Sequence, residues 1–196
     1  MLFKVVSGVS ADIYQLWSSS DTLNEDKTEA LNVNSSFRRH YKNRLVPNWK
    51  TASPKEARVA LYKDDNELLS MVFNASNSDN ENWFSKNRMI FSPWTDLKDE
   101  YAFYFSIIGR YRRFFYISKP DATCSGDDGW LMSTYVGCAY ESRFPEQLCY
   151  TVNCKQAQNG VSTKTLASQM SCWCTYVDGP EGANDSLTTF FQEVLA

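Results

Sequence analysis

Histidine is almost missing from this chain: His40 is the only one in 196 residues. A Ser-His-Asp or Cys-His site would have to use it. It sits in Arg38-Arg39-His40-Tyr41-Lys42 with no nucleophile elbow nearby, and it reads as an exposed structural histidine. No G-x-S-x-G, P-loop, GxGxxG or HExxH pattern is present, so no catalytic residue is assigned. Long apolar runs are missing too, and nothing approaches the ~18 residues of a membrane span. The opening MLFKVVSGVS has no long apolar core and no small-residue cleavage site. It makes a poor signal peptide, so a secreted form is expected to be a mature chain. An excess of one charge sign is missing as well. A net charge of -3 argues against nucleic acid or an acidic membrane surface as partner.

Cysteine is absent from the first 123 residues, which must therefore hold by packing. All six cysteines follow: Cys124, Cys138, Cys149, Cys154, Cys172 and Cys174. An even count in the last third favours a disulfide framework. Zinc is the weaker reading, because the x4 and x1 spacings of Cys149/Cys154 and Cys172/Cys174 depart from zinc knuckles. Two residues apart on a strand, Cys172 and Cys174 are too distant for an unstrained bond. They are expected to pair with different partners, giving three bridges within 124–174. Sequons at Asn34, Asn74 and Asn184 point the same way, to a secreted glycoprotein.

What is abundant is core material, with 43% hydrophobic and 15% aromatic residues. That suffices for one domain over 1–196. Residues 1–55 are less regular: 2–17 read as a strand or two, 21–31 as a short surface helix capped by Asp21, and 37–50 as basic and irregular. The β core spans 56–196. Arg58–Tyr62 and Leu68–Phe73 flank a polar turn, and Tyr101–Ile108 and Arg112–Ile117 flank Gly109. Both are hairpin patterns. Residues 74–82 form a polar loop, and Arg88–Phe91 a strand ended by Pro93. Trp130–Val136, Gln147–Val152 and Cys172–Val177 are further strands, while Leu187–Leu195 is a strand or a short helix. The expected class is all-β, mainly antiparallel, as a β-sandwich or barrel.

Candidate sites compete with plainer readings. Asp64-Asp65 and Asp127-Asp128 adjoin turns, which attract aspartate for local reasons, so a carboxylate-pair hydrolase is the remotest function. The loop 121–129 matches no calcium loop, and no metal is expected. Arg110 to Tyr116 interleaves base and aromatic, most simply as structural cation–π contacts. Trp83, Phe84, Trp94 and Trp130 are the candidate ligand contacts, as pocket lining for an apolar molecule or as platforms for sugar rings. Polar side chains precede Trp83 and Trp130, which keeps a lectin-like module open as the alternative.

The segments NWFSKNRMIFSPWTDL (82–97), RRFFYIS (112–118), DDGW (127–130) and CAYESRFP (138–145) resemble a family of uncharacterised secreted molluscan proteins. That family is taken to include carotenoprotein subunits of apple-snail egg perivitellins. The resemblance covers about residues 56–192. It implies an oligomeric storage or carrier glycoprotein of egg fluid, assembled with like or related subunits and holding a carotenoid in an apolar pocket. It carries over no catalytic or ligand residue.

Overall fold

In the computed structural model the described residues are 1–6, 9–33, 37–63, 66–110, 112–120, 129–134, 148–150 and 187–195. Among these described residues, ten strands form two antiparallel sheets. The first joins β1 (Phe3–Val6), β2 (Tyr41–Lys42), β3 (Glu56–Lys63), β4 (Asn66–Asn74), β5 (Met89–Phe91) and β10 (Leu187–Leu195) in the order β2-β1-β10-β3-β4-β5. The second joins β6 (Tyr104–Ile108), β7 (Arg113–Ser118), β8 (Gly129–Thr134) and β9 (Leu148–Tyr150) in sequence order. Helices are few: α1 (Ile13–Ser18), α2 (Trp49–Ala52) and two short 3-10 turns. The chain is mainly antiparallel β, as its alternating apolar runs predict.

Both expected hairpins form. β3 pairs with β4 from Glu56↔Asn74 to Lys63↔Asn66, and β6 pairs with β7 from Tyr104↔Ser118 to Ile108↔Phe114. Gly109 is required at the second turn, because a Cβ there would lie 2.7 Å from the Arg113 carbonyl oxygen. The ambiguous segment at 187–195 is a strand. β10 lies between β1 and β3, matching Phe191 with Phe3 on one side and with Val59 on the other. Two paired neighbours satisfy both edges of its backbone, which a short helix at that place would not do.

Three local expectations are corrected. Residues 2–17 contain one strand and a helix. Asp12 caps α1 by accepting from the Gln15 N–H at 3.0 Å, and Ile13 and Trp17, four apart, share its buried face. Residues 21–31 yield only a 3-10 turn, Thr28–Leu31, with Lys27 at its start and no side-chain cap. The basic stretch 37–50 is ordered into β2 and α2. Strict alternation fails along β7. Arg113 Nη1 donates to the Tyr116 hydroxyl at 3.0 Å, although a period of two places them on opposite faces. The cause is a bulge: register slips between Phe114 and Ile117, and Phe115 takes a φ of 47°. The Arg113 guanidinium lies 5.4 Å from the Tyr116 ring centroid, in keeping with the structural cation–π reading of this stretch.

The two sheets meet through aromatic rings. Phe3 of β1 and Phe73 of β4 lie 6.5 Å from Phe115 and 6.0 Å from Phe105, respectively, across the gap. Phe84 bridges both, at 5.1 Å from Phe73 and 5.6 Å from Phe115. Trp17, Trp49 and Trp83 close one end of this layer, with Trp49 and Trp83 stacked at 5.6 Å. Such pairs contribute roughly 0.5–1.5 kcal/mol each beyond the area they bury.

Candidate functional site: a polar cleft on an indole-braced loop

Two connections meet beside the tryptophan end of the layer. One follows α2, where Ser53 adopts a left-handed backbone, φ 46°, and its N–H donates to the Trp49 carbonyl at 3.0 Å. Pro54 then stops any further helix. The other is the 74–82 loop. Asn74 Oδ1 accepts from the Ser76 N–H at 2.9 Å, and the Ala75 N–H donates to the Lys55 carbonyl at 2.8 Å. Between these connections lies a cleft of about 590 Å³.

The loop looks mobile from composition, yet its bonds pin it. Asp79 Oδ1 accepts from the N–H groups of Glu81, 3.0 Å, and Asn82, 2.7 Å, while Oδ2 accepts from Asn82 Nδ2 at 2.9 Å. These donors, the Asn82 N–H foremost, hold the Asp79 carboxyl below its ordinary range. From beneath, Trp17 Nε1 donates to the Asn80 carbonyl at 2.7 Å and Trp49 Nε1 to Ser78 Oγ at 2.9 Å. From the side, Arg88 Nη1 donates to the carbonyls of Asn74 and Ser76 at 3.2 and 3.0 Å. The aromatic core thus uses two indole N–H groups to hold a polar surface loop in one shape.

The four aromatic residues singled out by sequence lie elsewhere. Trp83 and Phe84 are together in the inter-sheet layer, 5.6 Å apart and each 1% exposed. Trp94 and Trp130 are each 3% exposed, and Trp130 Nε1 donates to the buried Asp96 at 3.1 Å with the Lys119 ammonium 5.4 Å from its ring. None of the four lines the cleft. Trp83 is the unusual one, because its indole N–H is buried without a hydrogen-bond partner. His40 is also not where the sequence put it. It is buried: Nδ1 accepts from the Val6 N–H at 3.1 Å, and Nε2 faces the Val9 carbonyl at 3.1 Å. These partners require a neutral ring with its proton on Nε2. The basic neighbours that suggested exposure, Arg38 and Arg39, are themselves exposed.

Among the sequons, Asn74 is exposed at the end of β4, and the serine of its sequon, Ser76, lines the cleft. Asn34 and Asn184 lie outside the described residues, as do Cys124, Cys138, Cys154, Cys172, Cys174 and the aspartates at 64, 65, 121, 127 and 128. Of Cys149 only its strand pairing, to Met132, is described. Sequence reasoning passed over Lys50, Ser53, Lys55, Asn77 and Asp79. Its one signal was the density of Asn, Ser and Asp in 74–82, which reads as a loop and not as a wall. No protein-family model matches this chain, nor does any curated protein or solved structure.

Proposed function

We propose that this chain is a secreted, non-enzymatic glycoprotein with a sandwich-type β domain that binds carbohydrate through the cleft between α2 and the 74–82 loop. The observation that carries this reading is a polar concavity of about 590 Å³ whose walls are held rigid by the core. An amide and two ammonium groups carried on a braced backbone suit a ligand dense in oxygen atoms, and the braced backbone lowers the ordering cost of binding it. The locked His40 supports the absence of catalysis: both ring nitrogens are engaged with backbone groups, so the ring is a poor general base. The exposed Asn74 sequon supports an extracellular setting. A glycan array probed with the intact protein and with Asn77→Gly tests the proposal. Glycine keeps the positive φ of 54° at that site while deleting the amide. Selective binding that drops in the variant is the expected result, and an array without binding overturns it.

A second reading has its own observation. Ile90, Phe91, Tyr101 and Phe103 are between 49% and 68% exposed. Large exposed apolar side chains suit a storage or carrier protein that assembles with like or related subunits and holds an apolar molecule such as a carotenoid. Trp83, Phe84, Trp94 and Trp130 would then contact the ligand only where their packing opens. The visible absorption spectrum and native mass of protein from its natural source test this. A colourless monomer removes it.

A further inference from the structure

We infer that the cleft selects acidic saccharides, those with a carboxylate or sulfate group, through Lys50 and Lys55. The inference rests on the carbohydrate reading above and adds the ligand's charge.

It follows from which hydrogen-bonding capacity the cleft leaves open. Asp79 and Asn82 bond reciprocally, with Asn82 Oδ1 accepting from the Asp79 N–H at 3.1 Å. Ser78 Oγ accepts from Trp49 and donates to the Ala75 carbonyl at 2.7 Å. Ser53 Oγ donates to the Lys50 carbonyl at 2.9 Å, and Ser76 Oγ to the Lys55 carbonyl at 3.4 Å. Three lining side chains make no hydrogen bond among the described residues: the ammonium groups of Lys50, which acts on Asp79 through its charge, and of Lys55, and the Asn77 amide. Each ammonium offers three donors and no acceptor, while Asn77 offers two donors and one acceptor oxygen. The open capacity is therefore mostly donors, and two of the groups are cationic. All three side chains are exposed, so a ligand that replaces their water matches them best with acceptors and negative charge.

Two features narrow the class. No aromatic side chain lines the cleft, so a neutral pyranose finds no ring to stack on and charge-assisted bonds must supply the affinity. Asp79 adds one negative charge against the two lysines. A single anionic group among hydroxyls fits that balance. The chain as a whole carries -3, so attraction of an anion here is local and not a property of the whole surface.

The test uses intact protein, before and after enzymatic deglycosylation, on three immobilised probes: a uronic acid polymer, a sulfated glycan and a neutral glucan. Retention on one or both acidic probes and not on the glucan is expected, weakening as salt is raised. The Lys50→Gln/Lys55→Gln double variant should bind about tenfold more weakly, the scale expected for losing charge-assisted bonds. Lys98→Gln, an exposed lysine outside the cleft, should bind as the parent does. Near-ultraviolet circular dichroism checks that each variant is folded. Equal binding to glucan and acidic probes, or acidic binding untouched by the double variant, overturns the inference and leaves the carbohydrate reading standing. Binding to no saccharide overturns both.

Discussion

β1 is buried along its whole length, yet its two sides are held by different physics. Phe3 and Val5 point into the inter-sheet aromatic layer. Lys4 and Val6 point the other way, where Asn32 and Phe37 lie against Lys4. There the Lys4 ammonium donates to the Asn32 carbonyl at 3.2 Å and sits 5.5 Å from the Phe37 ring. His40 completes the set by accepting from Val6. One side is stabilised by removing carbon from water, which is non-directional and insensitive to pH. The other depends on individual hydrogen bonds to groups that titrate.

The contrast is open to attack from both sides. The largest effect should come from the apolar side. Phe73→Ala removes a fully buried ring touching Trp83, Phe84 and Phe105, and should cost about 3–5 kcal/mol in chemical denaturation. Lys4→Met, of similar length but without charge, should change stability little or raise it, because a buried ammonium is expensive to desolvate. Equal losses from the two substitutions would erase the distinction between the sides.

His40→Ala comes next. It strands the Val6 N–H in a buried site and should cost about 1–3 kcal/mol by the same measurement. His40→Gln, which can place an acceptor near that N–H, should recover part of the loss.

The braces of the cleft loop sharpen the comparison further. Trp49→Phe and Trp83→Phe delete similar area, but only Trp49 gives up a hydrogen bond, to Ser78. Trp83 instead sheds an N–H that already lacks a partner. Trp49→Phe should be the worse by about 1 kcal/mol, and hydrogen exchange in 75–82 should quicken in it alone. Equal effects would mean that the indole bond does not hold the loop.

A further effect is a pH slope. Burial lowers the Lys4 pKa to about 8. Between that value and the ordinary lysine value near ~10.4, the unfolded chain holds a proton that the folded chain has released. Stability from this group is therefore present in full above the ordinary value, and is lost as pH falls through about 8. Denaturation series across that window should rise with pH in the parent and flatten in Lys4→Met. Identical slopes in the two proteins would mean that Lys4 is not desolvated as its burial implies.

Much of this architecture is legible along the chain. Alternating apolar runs around 63–67 and 109 announce both hairpins, because side chains of a strand face opposite ways with a period of two. The same rule fails at β7, where a bulge with Phe115 at positive φ brings Arg113 against Tyr116, and nothing in RRFFYIS marks that position. It fails again at His40, whose neighbours in sequence are exposed arginines while its neighbours in space are the backbones of Val6 and Val9. The cleft is hidden for the same reason. Lys50 and Asn77 are far apart in sequence and each reads as ordinary surface.

By itself, then, the sequence determined the strand-rich class, the two hairpins and the wealth of aromatic core, all of which follow from short-range periodicity and composition. Only the tertiary structure decided that the last strand lies between β1 and β3, that the sole histidine is buried and neutral, and that a polar loop is braced by indoles into the wall of a cleft. Those outcomes depend on which distant groups must satisfy one another's hydrogen bonds once water is excluded, and no local pattern encodes that.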